Sequence, residues 1–206
     1  MGKGLQEICE AAVLEGRQID LTGCFYEVSG PYAFVPCTYY PLLAGLARTQ
    51  RMSQVLDVGT RYGGSILAVR KGLAEPHPDR PVLVTVDLTE HQGHALQRYP
   101  EIRRILGDGA AAAIVARVAK CFEPPIDMVF LDAVHTMEHT RACFEGYGRS
   151  LNPRFIVLDD IHLNASMARL WKELQSWFPA DQVFDATEVA GRSSDCGFGV
   201  IEYRRG

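Results

Sequence analysis

The sequence lacks most of what would place a protein in a membrane, in a secreted disulfide scaffold or on nucleic acid. Among its 206 residues no apolar run approaches the roughly 20 that cross a bilayer, which argues against a membrane span. The amino terminus, Met1-Gly-Lys-Gly-Leu-Gln-Glu7, has no apolar segment of the signal-peptide kind. Six cysteines, Cys9, Cys24, Cys37, Cys121, Cys143 and Cys196, are scattered singly without a Cys-x-x-Cys pair. Reduced thiols in a cytoplasmic protein are expected, rather than a disulfide framework or a zinc knuckle. In that compartment the sequon Asn164-Ala-Ser166 carries no message. A formal net charge of -4 leaves no basic footprint for nucleic acid, and there are no repeats or low-complexity tracts. What is present is 47% hydrophobic residues, enough for one sizeable core.

Leu5, Ile8, Cys9, Ala12 and Val13 recur at helical spacing, and Gly16 follows as an expected stop. From Arg17 to Tyr40 the pattern dissolves into an aromatic stretch holding Phe25, Tyr26, Tyr32, Phe34, Tyr39 and Tyr40. It is too aromatic for a disordered linker, and reads as a packed cover over the core or a substrate lid. Residues 1–50 are therefore expected to form an amino-terminal cap, and residues 51–206 the main domain.

From Gln54 onward, strands near 54–59, 82–88, 102–108, 126–132 and 154–160 alternate with helices near 63–73, 91–98, 109–120, 136–149 and 164–178. Alternation of this kind is the signature of βαβ units around a parallel sheet. Strands near 182–188 and 197–203 have no helix between them, which predicts a closing antiparallel pair joined by a polar loop over 189–196. The expected fold is α/β, a Rossmann-like doubly wound sheet of seven strands, mostly parallel.

In such sheets ligands collect beyond the carboxyl ends of the strands, and two constellations lie there. The first is Asp57-Val-Gly59-Thr60-Arg61-Tyr-Gly63-Gly64-Ser65 at the first strand-to-helix turn. Its glycines let a ligand approach the backbone, and the helix start offers free N–H groups. Asp87 ends the second strand, where a ribose-binding acid sits in dinucleotide folds, and Asp108 ends the third within Gly107-Asp-Gly109. Either acid could instead cap a helix; with Asp57 and the glycine turn, they favour a nucleoside site. The second constellation is Asp132, Asp159 and Asp160, which end two adjacent apolar strands and outline a divalent-metal site. Carboxylates so crowded repel one another, and a bound dication removes that cost.

These motifs resemble the class I S-adenosylmethionine-dependent methyltransferases, over roughly residues 50 to 203. The Gly-Thr-x-x-Gly-Gly-Ser form is similar to the cephalosporin hydroxylase and macrolide sugar O-methyltransferase group. The resemblance implies that Gly59 and Gly63 face the methionine part of the cofactor, Asp87 the ribose hydroxyls and Asp108 the adenine amine. It brings Thr60, Ser65 and Asp132 to the cofactor as well, and gives Arg61 either the cofactor carboxylate or the surface. It also implies that Asp132, Asp159 and Asp160 hold Mg²⁺, as in the sugar enzymes and in catechol O-methyltransferase. His135, three residues after Asp132, takes the place of the proposed base in both, and a nearby cation would keep it neutral.

The expected activity is Mg²⁺-dependent O-methylation of a small molecule with vicinal oxygens, a sugar diol or a catechol. A small-molecule methyl acceptor is the expected partner, and a homodimer through the amino-terminal segment is compatible with the sequence. A nicotinamide-dependent oxidoreductase is the alternative, though it has no Gly-x-Gly-x-x-Gly to use and no role for the three acids. His135-Thr-Met-Glu138-His139 also fits the His-x-x-Glu-His pattern of zinc hydrolases, in which both histidines would be ligands.

Overall fold

The computed structural model describes residues 4–27, 30, 33–73, 80–90 and 95–203. Seven strands form one sheet: β1 (Gln54–Val58), β2 (Val82–Asp87), β3 (Arg103–Leu106), β4 (Met128–Leu131), β5 (Phe155–Asp159), β6 (Val183–Asp185) and β7 (Phe198–Glu202). Their spatial order is β3-β2-β1-β4-β5-β7-β6. The first five pair in parallel, and β7 runs antiparallel to both β5 and β6. The predicted doubly wound sheet with its antiparallel closing pair is the fold of this protein. The order reverses between β1 and β4, so the crevice above those two strands is the switch point at which ligands bind.

Alternate residues of each strand feed two cores. Val55, Phe130, Val157 and Val200 face one side, Leu56, Val129, Leu158 and Ile201 the other. On the first side lie α1 (Leu5–Gly16), α2 (Tyr40–Thr49) and α3 (Gly64–Gly72); on the second α4 (Ala112–Ala119), α5 (Met137–Leu151) and α6 (Ala165–Trp177). Burial on both faces explains the near-continuous apolar runs of the central strands.

Helix α2 is the element that periodicity does not reveal, because Tyr40-Pro-Leu-Leu-Ala-Gly-Leu-Ala47 is apolar nearly all round. Almost every residue of that stretch is buried, since α2 is sandwiched between α1 and α3 against the sheet. Gly16 is part of α1 rather than its stop. A Cβ there would sit 1.8 Å from the Pro41 carbonyl oxygen, and one at Gly45 would sit 1.7 Å from that of Ala12. These two glycines permit the close crossing of α1 and α2 and are packing residues, not punctuation.

The expected helix near 91–98 is a short 3₁₀ turn over Ala95–Arg98, with 91–94 outside the described residues. Strand β6 is shorter than expected, because the chain from Ala186 turns back on itself through Ala190 N–H to Ala186 O and Arg192 N–H to Thr187 O bonds. No helix among the described residues is long and apolar enough to cross a membrane.

Candidate active site

A cavity of about 360 Å³ opens above the ends of β1, β2 and β4. Gly59, Arg61, Asp87, Asp132, His135 and His139 are part of its wall, with Tyr26 from the aromatic stretch. The turn after β1 forms because Gly59 takes φ +111°, and a Cβ there would lie 1.8 Å from the Asp132 carbonyl oxygen. What crowds Gly59 is therefore the protein's own backbone at the end of β4. The bare turn joins the two halves of the site as well as admitting a ligand.

Asp57 lies beneath that turn and does not line the cavity. Its Oδ2 accepts from Ser65 Oγ (3.0 Å) and Thr85 Oγ1 (3.2 Å), while Oδ1 is buried with no hydrogen-bond partner among the described residues. Burial pushes its carboxyl up to about 7, and the bonds from Ser65 and Thr85 only partly offset that rise. An acid raised in the folded state is protonated there after the unfolded chain has already ionised. Its contribution to stability is full below about pH 4, shrinks as the pH climbs, and is lost above about 7. Asp57→Asn should therefore flatten the loss of thermal stability between pH 5 and pH 8, by about 2–3 kcal/mol. An unchanged pH dependence of melting in the variant would show that Asp57 does not titrate in this window.

Asp87 Oδ2 accepts the Arg61 backbone N–H at 2.6 Å, so the second strand end holds the glycine turn. The Arg61 side chain turns away from the turn. It pairs with Glu27 (2.5 Å) and stacks over the Tyr26 ring (4.3 Å), fastening the aromatic stretch onto the cavity. A small recess between Phe25, Tyr26 and Tyr40 on one side and Gly59, Thr60 and Ser65 on the other continues the cavity. Gly63, in the left-handed conformation, starts α3 and does not reach the wall. The aromatic stretch thus serves two ends: Tyr39 and Tyr40 are core residues, whereas Tyr26 borders the cavity.

At the far end, Asp108 Oδ1 accepts from the Ala110 N–H (2.9 Å) and meets His139 Nε2 at 3.0 Å. His139, in the first turn of α5, joins the wall. Glu138 is exposed, and α5 starts only at Met137. His135 therefore lies before the helix and faces different partners from His139, which removes the zinc-hydrolase reading of that pentapeptide.

The acids converge beside the cavity as predicted, but not as an equivalent triad. One donor atom each from Asp132, His135 and Asp160 lies within 4.8 Å of the others. His135 Nε2 stands 3.4 Å from Asp160 Oδ2 and 3.8 Å from Asp132 Oδ1. Asp159, expected as a third ligand, is 1% exposed and gives both carboxylate oxygens to Arg192, at 3.0 and 2.8 Å. Arg192 Nη2 also donates to Asp160 Oδ1 at 2.8 Å. Asp160 holds φ +58°, a conformation Asp tolerates better than most residues, which splits the two neighbouring carboxylates.

Burial pushes the Asp132 carboxyl up to about 8; Asp57 and Asp160 add to the rise, and a 2.9 Å hydrogen bond from the Tyr39 hydroxyl opposes it. Burial also lowers the His135 imidazole, and the Arg192 charge reinforces this against the pull of Asp160. His135 is accordingly neutral at pH 7 without any cation. Buried acids that resist ionisation, set beside a neutral imidazole, fit a hard dication, which would relieve the repulsion among them.

Secondary contacts hold this corner. Asn164, whose side-chain oxygen accepts the Met167 N–H to cap α6, donates through Nδ2 to the His135 carbonyl (3.0 Å). The sequon asparagine is thus a brace for His135. His162 meets Asp185 at 2.7 Å at the edge of the sheet. Sequence reading missed Tyr39 and Arg192: the one looks like any core aromatic, the other like any charge in a polar loop.

No curated protein sequence matches the chain. Among solved structures, MycE methyltransferase from the mycinamycin biosynthetic pathway aligns with a TM-score of 0.62 at 19% identity. The alignment covers 92% of this chain and 56% of MycE. An O-methyltransferase from Bacillus cereus aligns at TM-score 0.58 and 16% identity, covering 95% and 90% of the two chains. A putative caffeoyl-CoA O-methyltransferase from Staphylococcus aureus aligns at 0.57 and 15%, covering 79% and 82%. Identities this low carry the fold alone. The sequence carries more: residues 47–188, over half of the chain, match a single family, and this protein belongs to the rhamnosyl O-methyltransferase/CmcI family.

Proposed function

We propose that this protein moves a methyl group from S-adenosylmethionine to a hydroxyl of a small molecule bearing two neighbouring oxygens, with Mg²⁺ or a similar cation at the strand-end acids. The observation that carries this reading is that Asp132 and His135 belong both to the cavity wall and to the acid cluster. A nucleoside-sized cavity ends where cation-binding oxygens and a neutral imidazole begin. The MycE structure was solved with Mg, SAH and mycinamycin VI, which supports the same pairing of cofactor and cation here.

When bound, S-adenosylmethionine supplies an electrophilic methyl and the cation acidifies the acceptor hydroxyl. The chain's own residues do the rest. Asp87 is suited to accept hydrogen bonds from ribose hydroxyls, and Asp108, held by His139, to accept from the adenine amine. Gly59 lines the cavity at the end proposed for the methionine part, with Thr60 and Ser65 behind it and Tyr26 across from it. Asp132 and Asp160 offer hard oxygens for the cation, leaving positions open to the acceptor. His135 takes the acceptor's proton at Nε2, and Asn164 keeps its backbone in place. In this reading residues 1–50 are a cap on a methyltransferase unit of residues 51–206, and alignment and charge stabilisation are the main contributions to rate.

Titration calorimetry with S-adenosylmethionine, S-adenosylhomocysteine and NADH tests the cofactor. Both sulfur nucleosides should bind, and Asp87→Ala should weaken them by about 1.5–3 kcal/mol, the worth of hydrogen bonds to a charged group. Binding of NADH with no response to either sulfur nucleoside would overturn the proposal.

A further inference from the structure

Arg192 spends its guanidinium on the two acids that the sequence offers as neighbouring metal ligands. Its Nε and Nη2 occupy both oxygens of Asp159, and Nη2 also takes Oδ1 of Asp160. Burial alone would weaken the charge on Arg192, and the Asp159 and Asp160 carboxylates more than offset that, so the guanidinium stays protonated. The side chain is fixed from a further side, its Cζ lying 5.2 Å from the centre of the Tyr39 ring. The fold explains the placement. Antiparallel pairing sets Phe198 opposite Asp159, and the Asp160 N–H to Gly197 O and His162 N–H to Cys196 O bonds draw the loop before β7 across the end of β5.

The consequence is a division of labour among acids that look alike in sequence. The ligand-competent oxygens left together are Asp132 Oδ1 and Asp160 Oδ2, with the basic nitrogen His135 Nε2 beside them. With the carboxylates ionised, three negative charges face one guanidinium, leaving two, which matches a dication. A third carboxylate in the ligand set would overshoot that balance and close a position that an acceptor oxygen needs.

We propose that Arg192 is a positioning residue that withdraws Asp159 from the cation's ligands and acts as the internal counter-ion that sets cation affinity. The inference rests on the cation reading of the site, and it deepens that reading by naming which acids take part. A guanidinium bonded to Asp160 would repel a dication held by the same carboxylate, strongly so when both are shielded from water. Removing Arg192 should therefore tighten cation binding even though it removes a hydrogen-bonded partner.

The test is Mn²⁺ binding to the full chain, followed by calorimetry and by the loss of the free-ion paramagnetic resonance signal, with no methyl acceptor needed. Arg192→Gln should tighten Mn²⁺ by about tenfold or more, and Arg192→Lys, which keeps the charge, should stay near wild type. Arg192→Gln leaves a buried carboxylate unpaired and could fail to fold. The double variant Arg192→Gln with Asp159→Asn removes charge and partner together, and should bind Mn²⁺ within about threefold of wild type, since the net charge is unchanged. Loss of binding in the double variant would make Asp159 a ligand and overturn the inference, as would unchanged or weaker binding in a folded Arg192→Gln protein. Absence of Mn²⁺ binding in all the proteins, wild type included, would instead remove the cation reading, and this inference with it. Binding that emerges only in Arg192→Gln would show the arginine outcompeting the cation and support the counter-ion role.

Discussion

Asp160→Ala should abolish most methyl transfer, by roughly 10³-fold, because a Lewis acid contributes several kcal/mol to the charge that develops on the acceptor oxygen. Wild-type protein in excess chelator should lose activity to a similar extent and regain it with Mg²⁺. Binding of S-adenosylhomocysteine should survive both treatments, since the cavity-lining residues Gly59 and Asp87, proposed to face the cofactor, lie at the ends of β1 and β2 and are held without Asp160. The variant keeps the left-handed φ of +58° at that position, so alanine costs stability on the order of 1 kcal/mol. That is small beside the expected loss of rate, and Arg192 retains Asp159 as a partner. A single-turnover assay against a panel of catechols and sugar diols, read as S-adenosylhomocysteine formed, measures the effect. Full activity in chelator or in the variant would show that the acids are structural.

His135→Ala should retain cofactor and cation binding yet slow the methyl-transfer step by roughly 10²- to 10⁴-fold, the range of a positioned general base. Burial and the Arg192 charge hold this imidazole below its ordinary value, so protonation should cut the wild-type rate only on the acid side of about pH 6.5. The variant's pH–rate profile should lack that acid limb. A limb that persists with a small fall in rate would assign the proton transfer to water, with the cation alone acidifying the hydroxyl. Loss of Mn²⁺ from the variant would make His135 a ligand, which its 3.4 and 3.8 Å approaches to Asp160 and Asp132 allow.

Much of the fold was legible because its signals are local. Strands buried on both faces write themselves as apolar runs, and Val55-Leu56, Met128–Leu131 and Phe155–Leu158 are such runs. A carboxylate after each run marks the ligand edge of the sheet, so the positions of Asp87, Asp108, Asp132 and Asp160 at one edge follow from chain order alone. Helix α2 was not legible, since a helix buried nearly all round has no polar face to betray its period. Gly16 misled for a related reason: a helix-ending glycine and a helix-crossing glycine are the same letter, and only the Pro41 carbonyl beside it tells them apart.

By itself, the sequence determined the α/β order of elements, the glycine turn at Gly59, and the gathering of acids and His135 beyond the strand ends, because each depends on periodicity or on position at a strand terminus. The tertiary structure decided which of those groups are partnered. It gave Asp159 to Arg192 across 33 residues and Asp132 to Tyr39 across 93, and it set His139 against Asp108. A side chain's charge state and availability depend on what packs against it, and the antiparallel return of β7 and the folding of the aromatic stretch onto the sheet bring those partners from distant parts of the chain. Three like carboxylates in the sequence become unlike in the fold for that reason: one is paired with a guanidinium, one is bonded to a buried phenol, and one is shared between arginine and the histidine.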